Sequence, residues 1–161
     1  PEFLLAVMQR LKQENIHIAV DTTGYASWST IERILPYADL FLYDLKHMDS
    51  DRHKATVGVA NEGILENARK LSQAGSRMHI RVPIIPRFND DEENIRKTAE
   101  FCESLGESVE LIQLLPYHNL GVSKYLRISD RKVLEATPPS DQHMERIKQI
   151  LEEYGLRVRI H

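Results

Sequence analysis

Short apolar runs and helical patterns alternate along this chain, and the alternation limits the possible folds more than any other feature. Four or five runs of strand length are separated by segments with helical periodicity or helix-capping residues. Strands of about 5–8 residues alternating with helices of about 10–15 are typical of βαβ units and a parallel sheet. The predicted strands are residues 16–21, 40–43, 78–85, 109–115 and 156–160.

The segments between these runs carry helix patterns. Residues 3–11 present one apolar stripe at helical spacing. Ser29 and Glu32 match a capping box, which predicts a short helix that starts there and is stopped by Pro36. Further helices are predicted over residues 49–57, 63–74, 91–105 and 141–154.

The length limits how much of a barrel these units can form. The chain has 161 residues, whereas a complete (β/α)₈ barrel needs about 250. We therefore predict one α/β domain over residues 1–161, either a partial parallel (β/α) barrel or a small open sheet. The chain begins with Pro1 instead of Met and enters a helical pattern at once, so we expect it to be part of a longer protein.

Charge and cysteine content exclude several functional classes. There are 21 Lys and Arg residues against 24 Asp and Glu, a formal charge of −3, which gives no electrostatic reason to expect nucleic acid or an anionic membrane as a partner. No stretch approaches the roughly 20 apolar residues of a membrane span. The single cysteine, Cys102, excludes an intrachain disulfide and any metal site built only from thiolates of this chain. A cytoplasmic protein with a buried Cys102 is the expectation.

Polar side chains gather where the predicted strands end, which is where parallel α/β sheets bind ligands. The third strand also carries an arginine in an otherwise apolar run, and a charge there is costly unless it is paired or faces a ligand. These residues are Asp21 and Thr22 after the first strand, Asp44 and Lys46 after the second, Arg81 within the third, and Tyr117 and His118 after the fourth.

These residue types suit a small polar ligand. Lys46 and Arg81 can hold a carboxylate or phosphate, Asp21 and Asp44 can bind hydroxyls, an amino group or a small cation, and His118 can move a proton. Each also has a structural interpretation: a cap for Asp21, an Asp44–Lys46 ion pair, or an Arg81 that pairs with either aspartate. Their coincidence at several strand ends favours a ligand site.

Several short motifs follow one another in a fixed order. They are Asp21-Thr22-Thr23-Gly24-Tyr25, Asp44-Leu45-Lys46, Thr56-Val57-Gly58-Val59-x-Asn61, Ile80-Arg81-Val82-Pro83-Ile84-Ile85-Pro86 with Asn89-Asp90, and Leu114-Leu115-Pro116-Tyr117-His118 with Lys124-Tyr125. Each motif alone has little specificity. Together they closely resemble the glycyl-radical-enzyme activating enzymes of the radical S-adenosylmethionine (SAM) superfamily, over nearly the whole chain.

The resemblance implies a fold and an activity. The fold is a partial (β/α)₆ barrel that holds a [4Fe–4S] cluster and S-adenosylmethionine at its strand ends. The activity is an oxidoreductase reaction: the reduced cluster cleaves the cofactor, and the resulting 5′-deoxyadenosyl radical removes a hydrogen from a glycine of a partner enzyme such as pyruvate formate-lyase.

The resemblance also implies roles for individual residues. Asp44, Leu45 and Lys46 would contact the cofactor around its ribose, and Arg81 would approach its methionine carboxylate. His118 would be the catalytic-site residue, beside the cofactor and the incoming glycine loop.

The resemblance implies a second set of residues near the methionine carboxylate of the cofactor. Asp21 and Thr22, together with Asp44, would hold a monovalent cation or the substrate loop there.

The chain departs from the family in lacking the Cys-x₃-Cys-x₂-Cys and Gly-Gly-Glu motifs. We therefore expect a C-terminal part of an activating enzyme, missing the first barrel strands and inactive alone. Its first strand would then have an exposed edge, through which the chain self-associates or which its N-terminal helix buries.

Two other functions remain open on the residues alone. One is a small aldolase-like enzyme in which Lys46 forms a Schiff base and Asp44 or Asp21 carries the proton. The other is a non-catalytic scaffold that docks a peptide loop at the barrel mouth.

Overall fold

The computed structural model describes residues 2–119 and 136–161. The helices of this part are α1 Glu2–Gln13, α2 Trp28–Glu32, α3 Ser50–Val57, α4 Glu62–Gln73, α5 Glu92–Ser104 and α6 Asp141–Glu152. The strands are β1 Ala19–Thr22, β2 Leu40–Asp44, β3 Met78–Ile84, β4 Val109–Pro116 and β5 Val158–Ile160.

The five strands form one parallel sheet whose spatial order follows the chain, β1-β2-β3-β4-β5. A doubly wound sheet reverses its strand order at a switch point, whereas a (β/α) barrel adds each strand beside the previous one. The order therefore confirms the predicted partial parallel barrel. No helix in the described part of the chain is long and apolar enough to cross a membrane.

The two faces of the sheet have different environments. Along β3 the residues alternate between buried (Met78, Ile80) and partly exposed (His79, Arg81, Pro83). Successive strand residues point to opposite faces, so one face packs in the hydrophobic core and the other, which we call the open face, carries the polar groups.

The first two elements after α1 differ from their predicted positions. The strand predicted from residue 16 begins at Ala19, after a turn in which Asn15 has a left-handed φ of 55°. The capping-box prediction at Ser29 was wrong. The helix starts at Trp28, one residue after Ser27, whose backbone carbonyl accepts the first helical hydrogen bonds; its hydroxyl bonds to neighbouring hydroxyls instead of capping the helix.

Later helix boundaries agree closely with the sequence patterns. Asp49 and Asp91 are N-caps, and their carboxylates accept hydrogen bonds from the backbone N–H groups of Arg52 and Asn94. The helices therefore begin one residue after the predicted aspartates. The strands β2 and β3, which end at Asp44 and Ile84, are thus each followed by a short loop and a capped helix start.

Candidate functional site

Arg81 joins the first three strands on the open face. It is the register partner of Asp44 on β2, and its Nε donates to Asp44 Oδ1 at 2.8 Å. Its Nη1 donates to Asp21 Oδ2 on β1 at 2.8 Å, and its Nη2 donates to the other oxygen of Asp21. Hydrogen bonds to Asp21, and then to Asp44, raise the pKa of the Arg81 guanidinium against the opposing effect of burial.

Lys46 completes a group of four charges, which we call the Arg81 cluster: Asp21, Asp44, Lys46 and Arg81. Lys46 Nζ lies 3.8 Å from Asp44 Oδ2. The side chains of Arg81 and Asp44 are 18% and 19% exposed, whereas that of Asp21 is 63% exposed on the edge strand. Two positive and two negative charges make the cluster neutral, and Asp21 is the member that a ligand can displace most easily.

Two predicted site residues have side chains on the opposite, packed face. Leu45 is 3% exposed, and its N–H donates to the Arg81 carbonyl at 2.9 Å, so it can meet a ligand on the open face only through its backbone. Thr22 follows Asp21 along β1 and therefore points away from it. The Thr22 hydroxyl accepts a hydrogen bond from the Gly24 N–H at 3.0 Å.

His118 lies two residues beyond the end of β4 and is exposed. Within residues 2–119 and 136–161, no hydrogen bond or ion pair connects it to the Arg81 cluster. Tyr117 is held against the end of β3, where its N–H donates to the Ile84 carbonyl at 3.0 Å. The predicted motif residues Lys124 and Tyr125 lie outside the described residues.

A buried asparagine fixes the loops on either side of the cluster. Asn89 is fully buried, and its amide nitrogen donates to the carbonyls of Lys46 at 2.8 Å and Pro83 at 2.7 Å. Its Oδ1 accepts from the Ile85 N–H at 2.8 Å. Asn89 therefore holds the chain after β2 against the end of β3, and so positions the backbone of Lys46.

Other buried asparagines do the same for neighbouring loops. Asn67 donates to the carbonyls of Gly24 and Ala26 at 2.9 Å each, which fixes the turn after β1. Asn61 donates to the carbonyls of His47 and Met48 after β2. These residues were not predicted as part of the site. Asn67 lies within the apolar stripe of α4, a pattern that could have marked it, whereas Asn61 lies just before that helix.

Two further buried groups, His47 and Cys102, are packing residues, as expected for Cys102. His47 is 4% exposed, its Nδ1 accepts from the Asp49 N–H at 2.9 Å, and burial lowers its pKa. Cys102 is fully buried, and burial raises the pKa of its thiol to about 12. A protonated thiol inside a core helix is not a metal ligand.

Comparison with known proteins agrees with this architecture. The family model described as the Radical SAM superfamily matches residues 1–99. The chain is 38% identical over 162 residues to the trans-4-hydroxy-L-proline dehydratase activating enzyme of Clostridioides difficile, covering 99% of this chain and 53% of that protein. It is 36% identical over 160 residues to the pyruvate formate-lyase 1-activating enzyme of Escherichia coli (strain K12), covering 98% of this chain and 65% of that protein.

A solved structure of similar extent has the same fold. It is a domain of the pyruvate-formate lyase-activating enzyme from Bacteroides vulgatus ATCC 8482, with a TM-score of 0.85 and 38% identity, and the match covers 100% of this chain and 91% of that one. This chain thus spans about half to two thirds of the length of the two curated relatives. With more than half of its residues matched by the family model and a sheet of the same architecture, the chain belongs to the radical SAM superfamily.

Proposed function

We propose that this chain is part of a cytoplasmic glycyl-radical-enzyme activating enzyme and forms one domain that holds S-adenosylmethionine against its open face. The proposed protein substrate is a glycyl radical enzyme such as pyruvate formate-lyase. The observation that carries the proposal is the Arg81 cluster, a neutral group of charges at the carboxyl edge of a radical SAM sheet in which only Asp21 is mostly exposed. Relatives of 36–38% identity that are named activating enzymes support it.

The chemistry of the cluster fits this cofactor, whose amino-acid part carries a carboxylate and an ammonium and whose ribose carries hydroxyls. Among the described residues, Asp44 Oδ2 has only a 3.8 Å contact with Lys46, and it can accept from a hydroxyl or an ammonium. Arg81 can receive a carboxylate once exposed Asp21 gives up its hydrogen bonds. The proposed cofactor contacts are therefore the side chains of Asp44, Lys46 and Arg81 and the backbone of Leu45.

When bound, S-adenosylmethionine supplies the group that abstracts hydrogen from the partner's glycine. The residues of this chain bind and orient it. Arg81 and Lys46 fix the anionic end through charge, while Asp44 fixes hydroxyls by accepting hydrogen bonds. His118 is proposed to lie beside the cofactor and the glycine loop, where an exposed imidazole can donate a hydrogen bond to a peptide carbonyl.

A monovalent cation is also proposed between Asp21 and Asp44. Both carboxylates bond to Arg81, so the cation would replace part of the charge that the guanidinium now provides. Thr22 can contribute only its backbone carbonyl, because its hydroxyl lies on the other face and bonds to Gly24.

The described residues do not fit a [4Fe–4S] cluster. Such clusters are held by thiolates, and the only thiol of the chain, Cys102, is buried and protonated within α5. Within the described part of the chain there is also no group of three or more His, Cys, Asp or Glu side chains suited to a metal ion. We therefore derive no step through the cluster from these residues.

Binding of S-adenosylmethionine to matched arginine variants tests the proposal. Arg81→Lys keeps the positive charge but removes the planar guanidinium that bonds to Asp21 and Asp44 at once. We therefore expect roughly tenfold weaker binding in equilibrium dialysis with labelled cofactor. Arg77→Lys is the control, because Arg77 makes a similar bidentate pair with Glu110 at the opposite end of β3. Equal loss in both variants, or no binding by the unchanged chain at millimolar cofactor, would contradict the proposal.

A further inference from the structure

The edge strand β5 separates apolar from basic side chains by strict alternation. Val158 is buried and Ile160 packs against the core, whereas Arg157, Arg159 and His161 are exposed. The ladder to β4 continues beyond both ends of the strand. The Arg157 carbonyl accepts from the Ile112 N–H at 2.8 Å, and the His161 N–H donates to the Leu114 carbonyl at 3.0 Å. The backbone that carries the basic side chains is therefore hydrogen-bonded to β4 along its whole length.

These basic side chains lie on the same face as the Arg81 cluster. Arg81 is the register partner of Gln113 on β4, and Gln113 is the register partner of Arg159. Neighbouring strands are about 4.8 Å apart, so the Arg159 backbone is roughly 10 Å from that of Arg81. Gln113 Nε2 and His161 Nε2 are 3.0 Å apart, which continues the polar row along β5. A protein segment that approaches the cluster can therefore reach β5 on the same face.

The guanidinium groups of β5 are available for a partner. Arg77 and Arg81 on the same sheet are each held by carboxylates of this chain. Among residues 2–119 and 136–161, by contrast, Arg157 and Arg159 have no ion pair with a carboxylate. The chain as a whole has a charge of −3. Two arginines at alternate positions, with no ion pair to a described carboxylate, on a chain of net negative charge favour an anionic partner at this position.

The spacing of the arginines suits an extended chain. Residues two apart on a strand are about 6.7 Å apart, and acidic residues at alternate positions of an extended segment have the same spacing. Among the described strands β5 pairs only with β4, so its other edge can accept an added strand. Charged edge residues discourage pairing with similar edges, and here they repel a basic strand and attract an acidic one.

We propose that β5 binds an extended acidic segment of the protein that is activated, with carboxylates at alternate positions facing Arg157 and Arg159. The identity of the partner rests on the function proposed above, whereas the acidic, extended character of the segment rests on β5 itself. This contact positions the partner and leaves cofactor binding to the Arg81 cluster.

The test uses two peptides of equal composition, one with Glu and Thr in alternation and one with all Glu residues in a single block. We expect the chain to bind the alternating peptide more tightly, with binding that weakens as salt is added. Arg157→Gln/Arg159→Gln should lose roughly tenfold in affinity. The control Arg10→Gln/Arg146→Gln removes two other exposed arginines, from α1 and α6, and should bind as the unchanged chain does.

Three results would overturn the inference: equal binding of the two peptides, equal loss in the control variant, or displacement of the peptide by an oligothymidylate of equal charge. S-adenosylmethionine binding of the Arg157/Arg159 variant, measured in parallel, should be unchanged. If the unchanged chain binds the alternating peptide but not S-adenosylmethionine, only the proposed function is contradicted. Loss of peptide preference with retained cofactor binding contradicts only this inference.

Discussion

A Cβ atom added to Gly24 would lie 1.7 Å from the Oη of Tyr43, so the turn after β1 closes directly over the tyrosine ring. Tyr43 is fully buried, and its hydroxyl donates to the Ile64 carbonyl at 2.5 Å. Burial raises the pKa of this phenol. Because Asp21 precedes the turn by a few residues, the Gly24–Tyr43 contact helps to fix one carboxylate of the Arg81 cluster.

Gly24→Ala should therefore destabilise the fold by more than backbone strain alone. A left-handed φ costs a non-glycine residue about 1–2 kcal/mol, and the overlap with a buried ring adds roughly 1–3 kcal/mol. Urea unfolding measures the change. Gly75→Ala is the control, since Gly75 has the same φ of 71° but nothing within 4 Å of an added Cβ. Equal destabilisation of the two variants would show that overlap with Tyr43 does not affect the free energy of unfolding.

Asn89→Ala should loosen the carboxyl edge of the sheet. It removes hydrogen bonds to Lys46, Pro83 and Ile85 and leaves partly buried backbone groups without these partners, which costs roughly 2–4 kcal/mol. We expect a lower urea midpoint and faster amide exchange at Ile85. Asn119→Ala changes an exposed asparagine and should leave both unchanged. An Asn89 variant as stable as the control would mean that the loops do not depend on this amide.

The charged members of the Arg81 cluster could be predicted from the sequence better than the buried asparagines that hold the loops around it. Asp44 and Arg81 could be placed together because strand ends of a parallel sheet meet at one edge, and strand alternation places residues two apart, such as Asp44 and Lys46, on one face. The same alternation sends Leu45 and Thr22 to the other face, which their motifs alone do not reveal. The loop contacts of Asn89 depend on how distant segments pack, and no local pattern encodes that.

His47 should make stability depend on pH. Burial, and then the charge of Arg52, lower its pKa, while Asp91 and Asp49 act in the opposite direction. The folded state therefore binds fewer protons at this site than the unfolded state, whose histidine titrates near its ordinary value. This contribution to stability is complete above the unfolded pKa and is lost as pH falls below it toward the folded pKa.

Urea midpoints at several pH values between neutral and mildly acidic measure this effect. The difference in stability between the unchanged chain and His47→Gln should shrink as the pH falls. His17→Gln is the control, because His17 is exposed. A His47 difference that is constant with pH would show that its protonation is not coupled to folding.

Self-association through the edge of β1 is expected when the chain is studied alone. The exposed apolar side chains include Phe3 at 83%, together with Leu4 and Val7 on α1, and β1 pairs only with β2 among the described strands. Sedimentation velocity should detect dimers that increase with concentration. Ala19→Lys places a charge on the edge strand and should favour the monomer. Val57→Lys, an exposed apolar position on α3, should not; a monomer at every concentration contradicts the expectation.

Lys46 should not form a Schiff base, although a lysine at a strand end permits one. An amine nucleophile needs a lowered pKa, which comes from an apolar pocket or a nearby cation. Lys46 Nζ instead lies 3.8 Å from the Asp44 carboxylate, and its side chain is 29% exposed, so it does not lie in an apolar pocket. Borohydride reduction in the presence of small aldehydes, followed by mass spectrometry, should label Lys46 no more than the exposed Lys97. Selective labelling of Lys46 would instead support the aldolase-like alternative, because only a lysine with enhanced nucleophilicity reacts ahead of ordinary surface amines.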